Sequence, residues 1–291
     1  MEQITKQAKA KINLGLDVIR RRVDGYHEVK MIMQMVEIAD TLTFSKSSIP
    51  GIRISVGESA GCEQIPTDES NLIYKAAKIM KDTYPEKIDG IDIHLEKKIP
   101  VAAGMAGGST DAAATFLAMN ELFELQIGID ELMKMGVRVG ADVPYCIIGG
   151  TALSEGIGEI LTPIEKPPFC YLVIAKPEIN VSTKYVYENL KLTEQTIHPD
   201  IDSLKEAIQK NDLKKMAETM GNLLETVTVE KYPVIDEIKK MMIQMGGLNA
   251  LMSGSGPTVF GIFVNQGDAE KAYHAVRGSG KAKQVFLTTL G

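Results

Sequence analysis

The chain has 291 residues, a formal net charge of −6, 44% hydrophobic residues and 24% charged residues. This length fits one large domain or two modest ones, and it is sufficient to bury a core without disulfides or a metal. The composition excludes collagen, a disordered chain and a disulfide scaffold. The acidic balance argues against a general nucleic-acid binder, so local positive groups must hold any anionic ligand.

The cysteines and the apolar segments indicate the cellular compartment of the protein. Cys62, Cys146 and Cys170 show no CxxC spacing, so neither a metal knuckle nor a redox pair is expected. Such scarce cysteines are typical of a reducing compartment. The N-terminal segment lacks the apolar core of a secretory signal, and no apolar run is long enough to span a bilayer. We therefore expect a cytoplasmic protein that is not embedded in a membrane.

In the first half of the chain, strands and helices are both predicted, without strict alternation. Alternation of apolar and polar residues predicts strands at 12–19, 31–38, 42–44, 52–56 and 91–95. Apolar residues at helical spacing predict helices over 71–84, from about 110 to 123, and over 130–139. This mixture favours the α+β class.

The second half is predicted to be mostly helical. Its predicted helices are 183–190, 202–210, 212–227, 232–245 and 268–277, and its predicted strands are 151–154, 171–175, 250–252, 257–264 and 284–289. Prolines at 163, 167 and 168 interrupt the pattern and predict a domain boundary near 156–168. We expect an N-terminal domain over 1–160 and a C-terminal domain over 161–283, with the last strand, 284–291, open to joining the N-terminal domain.

The strongest local signal is a loop of small residues between a strand and a helix. Its residues are Pro100, Val101, Ala102, Ala103, Gly104, Met105, Ala106, Gly107, Gly108, Ser109 and Thr110. Glycine and alanine let backbone amides approach a phosphate closely, and the helix start offers unpaired N–H groups and a positive dipole end. A tight turn that needs small residues for packing is the alternative. Among the glycines, Gly104, Gly107 and Gly108 are expected to take the positive φ angles, because alanine would be strained there.

The familiar nucleotide and hydrolase signatures are absent from the sequence. There is no GxxxxGK[ST], no GxGxxG after a strand and no HRD or DFG pair. These absences exclude a P-loop nucleotide-binding protein, a Rossmann dinucleotide-binding protein and a protein kinase. HExxH and GxSxG are absent as well. A metalloprotease and an α/β-hydrolase are therefore excluded.

Four shorter patches are ambiguous when each is taken alone. Lys11 and Asn13 share one face of a strand by its period of two, although a solvated strand end is the simpler reading. The Asp24–His27 segment has turn chemistry. Asp142 follows a helix end and suits a cap as well as a catalytic acid, and the Ser253–Pro257 segment suits a hairpin turn.

Together, these patches resemble one family, the 4-diphosphocytidyl-2-C-methyl-D-erythritol kinases, within the GHMP group of small-molecule kinases. The matching segments, in the order of the family, are Ala10–Leu14, Arg22–Glu28, Pro100–Ala113, Gly140–Pro144, Glu155–Glu159 and Ser253–Gly261. The small-residue loop and the SGSG turn are shared by all GHMP kinases. The DGYHE, GADVP and EGIGE segments are much narrower and select this member of the group.

The resemblance implies a two-domain GHMP kinase fold. It pairs an N-terminal ribosomal-protein-S5-like domain with a C-terminal ferredoxin-like α/β plait. It also implies an ATP-dependent kinase that phosphorylates the 2-hydroxyl of its substrate, in non-mevalonate isoprenoid biosynthesis. In this reading ATP phosphates bind the 100–110 loop, Lys11 and Asp142 form the catalytic pair, and Gly254, Ser255 and Gly256 form a turn on the phosphate side.

For the substrate, the resemblance implies that Tyr26 stacks on the cytosine and His27 hydrogen-bonds its edge. Tyr187 supplies the second aromatic ring, with Thr183 nearby, and Asn13 reaches the erythritol hydroxyls. Mg²⁺ is expected with ATP, but the sequence shows no dedicated protein ligands for a metal. The expected partner is a small molecule, with no nucleic acid, membrane or obligate protein partner.

Two alternatives remain at this point. Another GHMP kinase, of the homoserine or mevalonate-pathway type, would use the same loop but would leave Tyr26 and His27 without a cytosine to recognise. A non-catalytic sensor with this fold would be expected to lack Lys11 or Asp142, and the sequence retains both.

Overall fold

The computed structural model describes residues 2–58 and 65–291 and shows a mixture of strands and helices. Its strands are β1 (Gln3–Arg21), β2 (His27–Ser47), β3 (Gly51–Val56), β4 (Gly90–Glu96), β5 (Thr151–Glu155), β6 (Ile160–Pro163), β7 (Cys170–Lys176), β8 (Asn249–Met252), β9 (Val259–Phe263) and β10 (Gln284–Leu290). Cys62 lies outside the described residues.

The helices account for most of the remaining chain in the described ranges. They are α1 (Leu72–Thr83), α2 (Gly107–Leu122), α3 (Ile129–Val137), α4 (Val143–Ile148), α5 (Thr183–Asn189), α6 (Ile201–Gln209), α7 (Leu213–Thr219), α8 (Glu225–Lys231), α9 (Val234–Gln244) and α10 (Gln266–Gly278). None of them combines the length and the apolar character that a bilayer crossing requires. The predicted α+β class is confirmed.

The chain divides into two compact units. The first unit comprises Met1–Ala10, Ile38–Val101 and Ala106–Gly149; the second comprises Lys11–Glu37, Ala102–Met105 and Gly150–Gly291. These units are discontinuous in sequence, because the strands β1 and β2 contribute residues to both. The predicted boundary between residues 160 and 161 stays a prediction.

The first unit is built on the end of β2. Residues 41–47 of β2 pair antiparallel with β4, and β4 pairs parallel with β3. The helix α1 lies between β3 and β4 in sequence and buries Ile73, Ala77 and Met80. It packs against α2, whose alanines are buried over most of the helix. This environment explains why α2 lacks a polar face: it is covered by neighbouring elements on most sides.

The second unit contains an antiparallel sheet in the order β10-β7-β9-β8. Helices α5 to α9 lie between β7 and β8 in sequence, and α10 lies between β9 and β10. This β-α-β-β-α-β order is that of the predicted ferredoxin-like plait. The last strand, which the sequence left open to joining the N-terminal domain, pairs with β7.

Several local features differ from the sequence-based expectation. Strand β1, predicted over 12–19, extends from Gln3 to Arg21, and β2 is one strand where two were predicted, at 31–38 and 42–44. The strand β6 and the short helix α4 were not predicted. The helix predicted over 212–227 is wrong, because α7 ends at Thr219 and α8 begins at Glu225. Between them, the Leu16 N–H donates to Gly221 O at 2.8 Å and the Leu223 N–H donates to Leu16 O at 2.9 Å. The segment leaves the helical path because β1 satisfies its backbone groups.

Candidate active site

Strand β1 carries a lysine and an asparagine that are both buried and lie side by side in the second unit. Lys11 and Asn13 are both buried, and the Lys11 Nζ donates to Asn13 Oδ1 at 2.8 Å. Their separation of two residues places them on the same face of the strand, as predicted. The Lys11 ammonium also donates to Gly104 O at 3.4 Å, and the Lys11 N–H donates to Met105 O at 3.1 Å. The lysine is therefore held at both its backbone and its side chain beside the small-residue loop.

The turn between β8 and β9 approaches the same two residues. A Cβ built on Gly254 would lie 3.5 Å from Asn13 Oδ1 and 3.7 Å from Lys11 Nζ. The neighbouring Ser253 hydroxyl donates to Gly104 O at 3.0 Å. Glycine at 254, with φ of +59°, thus lets the turn come close to the lysine and the asparagine.

This turn is anchored by Asn222, a residue that was not among those predicted for the site. The Asn222 side chain is buried, and its Nδ2 donates to Met252 O at 2.7 Å and to Gly254 O at 2.8 Å. A Gly-Asn dipeptide inside a predicted helix is a chain-breaking signal that could have drawn attention to it.

The backbone of the small-residue loop differs from the expectation. Positive φ angles occur at Ala102 (51°), Gly104 (74°) and Ala106 (56°), whereas Gly107 and Gly108 begin α2. The expectation is therefore correct for Gly104 and wrong for the other two glycines.

Close packing, not φ, accounts for the two helical glycines. A Cβ on Gly107 would lie 3.1 Å from both Ile99 Cγ2 and Lys97 Nζ, and one on Gly108 would lie 3.3 Å from Leu72 Cδ1.

The N-cap residue of α2, Ala106, makes no side-chain capping bond, and the first turn carries no acidic residue. The N-terminus of α2 consequently keeps the electrostatic character that favours an anion.

The segments before and after the small-residue loop are tied to a buried charge network in the first unit, and this network was not predicted from the sequence. Lys97 Nζ forms ion pairs with Asp40 and with Asp111, at 2.7 Å from Asp111 Oδ2. Asp40 Oδ1 accepts hydrogen bonds from the N–H groups of Lys98 and Ile99, at 2.6 and 2.8 Å. The network joins the residues before the loop to the first turns of α2, so it stabilises the loop at both ends.

Asp142 occupies the N-cap position of α4 in the first unit and does not cap that helix with its side chain. The preceding Gly140 lies next to the loop, because a Cβ there would lie 3.9 Å from Ser109 Oγ. The structure thus brings the GADVP segment and the predicted phosphate loop together within this unit. Lys11 belongs to the other unit, and the pairing of Lys11 with Asp142 stays a prediction.

The predicted substrate residues of the second unit include two rings in contact. The ring centroids of His27 and Tyr187 are 5.1 Å apart, with a tilted geometry. Burial, together with the positive charge of Arg21, lowers the pKa of His27 below its ordinary value of 6.5, so the ring is neutral at pH 7. Tyr26 is 61% exposed at the tip of the Asp24 turn.

Thr183 connects the substrate-side helix α5 to the SGSG turn. Its hydroxyl lies 2.8 Å from Ser255 Oγ, which is hydrogen-bond distance. A residue predicted for the substrate therefore lies beside a residue predicted for the phosphate side.

Comparison with known proteins gives these features a family. The family model for the N-terminal domain of GHMP kinases matches residues 71–150, and the model for the GHMP kinase C-terminal domain matches residues 204–282. A 4-diphosphocytidyl-2-C-methyl-D-erythritol kinase of Lachnoclostridium phytofermentans is 52% identical over 288 residues, which cover 99% of this chain and 97% of that protein. The chain belongs to the 4-diphosphocytidyl-2-C-methyl-D-erythritol kinase family of GHMP kinases. It is accordingly a small-molecule kinase that uses ATP as the phosphoryl donor.

Solved structures agree with this assignment. The crystal structure of a 4-(cytidine 5'-diphospho)-2C-methyl-D-erythritol kinase superposes with a TM-score of 0.84 at 30% identity, covering 99% of both chains. A homoserine kinase from Cytophaga hutchinsonii superposes with a TM-score of 0.80 at 22% identity, covering 100% of this chain and 95% of that one. The second likeness concerns the fold alone, and the two-domain GHMP kinase fold is confirmed.

Proposed function

We propose that this kinase transfers the γ-phosphoryl group of ATP to the 2-hydroxyl of 4-diphosphocytidyl-2-C-methyl-D-erythritol. The products are the 2-phosphate and ADP, and the reaction serves the non-mevalonate route to isoprenoid precursors. Apart from the family, the observation that carries the substrate assignment is the contact between the rings of His27 and Tyr187. The substrates of homoserine kinases and mevalonate kinases contain no pyrimidine ring that such a pair of side chains could bind.

The pyrimidine is recognised by stacking and by hydrogen bonds to its edge. In the proposal, Tyr26 and Tyr187 provide the aromatic faces, and neutral His27 offers one donor and one acceptor. Tyr26 is exposed in the free protein, so it loses little other packing when it moves onto a bound base. Thr183 and Asn13 face the phosphate-side turn and Lys11, and they are proposed to bind the substrate's more polar portion.

The chemical step is assigned to Lys11 and Asp142. Asp142 accepts the proton of the substrate hydroxyl as its oxygen bonds to the γ-phosphorus, and the bond to the leaving ADP oxygen breaks. Lys11 orients the reacting oxygen and offsets the developing negative charge. Phosphoryl transfer relies mainly on positioning and electrostatic stabilisation, which a buried lysine fixed by Asn13 and Gly104 O is suited to provide.

The ATP phosphates are assigned to the 100–110 loop and the start of α2. The residues fit such a group, because small side chains leave the backbone accessible and the first turn of α2 lacks both an acidic residue and a side-chain cap. Mg²⁺ would bind mainly through the phosphates and water. Within residues 2–58 and 65–291, no cluster of three or more acidic, histidine or cysteine side chains suits a metal.

The deciding experiment is a phosphoryl-transfer assay with purified protein, Mg-ATP and 4-diphosphocytidyl-2-C-methyl-D-erythritol, read by phosphorus NMR and mass. A new monophosphate ester on the 2-hydroxyl is expected. Product from homoserine or mevalonate, and none from the cytidine compound, would overturn the substrate assignment.

Tyr26→Ala should raise the KM for the cytidine substrate and leave that for ATP unchanged, with Tyr273→Ala on α10 as the control.

A further inference from the structure

We propose that Asn222 is a positioning residue of the active site, which orients the backbone of the Gly254–Gly256 turn. Its side chain is 6% exposed and uses every polar atom for the backbone of its own unit. The two N–H groups of Nδ2 donate hydrogen bonds to Met252 O and Gly254 O, and Oδ1 accepts one from the Leu224 N–H at 3.0 Å. The inference rests on the proposed function, since that function makes the turn part of the phosphate site.

The position of Asn222 is itself determined by the strand that carries Lys11 and Asn13. Leu16 on β1 forms a parallel bridge with Asn222, through backbone hydrogen bonds to Gly221 and Leu223 on either side. The same short segment therefore contacts β1 through its backbone and the SGSG turn through its side chain. It sets the turn and the lysine strand relative to each other inside the second unit.

Peptide geometry explains what the hydrogen bond to Gly254 accomplishes. A trans peptide unit is planar, and its C=O and N–H point in opposite directions. By holding Gly254 O, Asn222 directs the Ser255 N–H away from itself. A backbone amide aimed in a fixed direction is a typical donor for a phosphate oxygen, and its orientation costs nothing at the moment of reaction.

Two further residues of the same segment reinforce this arrangement. The Met252 N–H donates to Glu225 Oε1 at 2.7 Å, and the Thr228 hydroxyl shares its proton between Ser255 O and Leu224 O, each at 3.2 Å. Glu225 is in turn paired with Lys239. The start of α8 therefore holds the turn from both sides of Gly254, and Asn222 holds Gly254 itself, the glycine that approaches Lys11.

The test compares Asn222→Asp with Asn249→Asp. Asn249 is a matched control in the same unit: its Nδ2 donates to Ala217 O at 2.6 Å and its Oδ1 accepts from the Ala250 N–H at 2.8 Å. Asn222→Asp replaces a donor with a charge that faces two carbonyl oxygens, so the turn must shift. We expect kcat to fall on the order of 10- to 100-fold and the affinity for Mg-ATP to fall, whereas Asn249→Asp changes the melting temperature alone.

A pH series separates positioning from simple destabilisation. When protonated, the introduced carboxyl can donate one hydrogen bond again. The kcat of Asn222→Asp relative to wild type should therefore recover as the pH is lowered toward 5, while that of Asn249→Asp stays flat. Equal losses of kcat in the two variants, or a flat ratio with pH, would overturn the inference.

Further measurements test the inference if Asn222→Asp does not fold or if the acceptor differs from the proposed one. If Asn222→Asp does not fold, Thr228→Val removes the bond to Ser255 O with little change in shape, and a kcat equal to that of wild type would count against the inference. If wild type phosphorylates a different acceptor, the proposed function fails, and the ratio of the two aspartate variants is measured on that acceptor. If no acceptor reacts, the Kd for Mg-ATP decides, and an unchanged Kd in Asn222→Asp refutes the role.

Discussion

Asp111 holds one carboxylate oxygen 2.7 Å from the Lys97 ammonium and buries the other without a hydrogen-bond partner among the described residues. Lys97 also pairs with Asp40, so two carboxyl groups share one cation in the interior. Burial is the main reason that the pKa of Asp111 is raised from 3.8 to about 8. The network is thus close to neutral when Asp111 carries a proton.

The first prediction concerns stability and pH. A raised folded-state pKa means that the native state binds a proton that the unfolded chain releases above 3.8. Asp111 therefore lowers the free energy of unfolding progressively from about pH 4 to about pH 8, with no further loss above that. Asp111→Asn removes this dependence, so its stability relative to wild type should increase over that range by up to about 1.4 kcal/mol per pH unit.

Urea unfolding at pH 5, 7 and 9 measures this difference. Asp92→Asn is the control, because the hydrogen bond from Arg53 lowers the pKa of that exposed carboxyl. Its removal should cost a little stability above pH 4, and that cost should fade only as the pH falls through the lowered pKa, so the sign is opposite to that of Asp111→Asn. A gap between Asp111→Asn and wild type that does not vary with pH would contradict the raised pKa.

The second prediction tests the proposed base. Asp142→Asn should lower kcat on the order of 10²- to 10⁴-fold, because the hydroxyl loses the group that accepts its proton. The fold should be unaffected, since asparagine is a good N-cap residue and Asp142 makes no side-chain capping bond. Asp130→Asn, a similar change in the first turn of α3, should leave kcat intact. Near-normal turnover in Asp142→Asn, measured at saturating ATP, would exclude a role as base.

The third prediction uses the neutral state of His27. Because its pKa is lowered, His27 becomes mainly protonated only at a pH below the ordinary value of 6.5. A proton adds charge and converts the ring's acceptor nitrogen into a donor, so it spoils the hydrogen-bond pattern offered to a base edge. The KM for the cytidine substrate should be level above pH 6.5 and rise as the pH falls below it.

The control for this prediction lies within the same assay. The KM for ATP should show no such rise, and His27→Asn should have a higher substrate KM without the pH dependence. If the wild-type substrate KM stays level down to pH 5, His27 does not contact the base.

Local patterns predicted the parts of the site that local rules determine. The period of two on β1 predicted that Lys11 and Asn13 share a face, and their side chains meet at 2.8 Å. The helix after the small-residue loop and the four strands of the plait were predicted as well. In each of these cases the signal lies within the segment itself and needs no contact with a distant residue.

Contacts between distant residues could not be predicted in this way. The break between α7 and α8 depends on Leu16, which lies more than two hundred residues earlier in the sequence and satisfies the backbone of Gly221 and Leu223. The ion pairs of Lys97 likewise depend on Asp40, at a sequence distance of 57 residues. The positive φ of Ala102 and Ala106 runs against the preference of alanine, so only the surrounding structure can impose it.

The last prediction concerns Gly104, where the loop meets the SGSG turn. Its φ is +74°, and a Cβ there would lie 2.5 Å from Ser253 O and 3.0 Å from Gly256 O. These are backbone atoms that cannot rotate away. Gly104→Ala should therefore lower the free energy of unfolding by roughly 1–3 kcal/mol and displace the carbonyl that accepts from Lys11 Nζ and Ser253 Oγ.

Gly267→Ala is the matched control, because a Cβ there meets nothing within 4 Å in the first turn of α10. That change should be neutral or stabilising by about 0.5 kcal/mol, since alanine favours a helix over glycine. Urea unfolding and steady-state kinetics on both variants measure the outcome. Only Gly104→Ala should lower kcat/KM for ATP, because only it disturbs the backbone around Lys11. If the two variants behave alike, the close approach of the loop to the turn is not needed for catalysis.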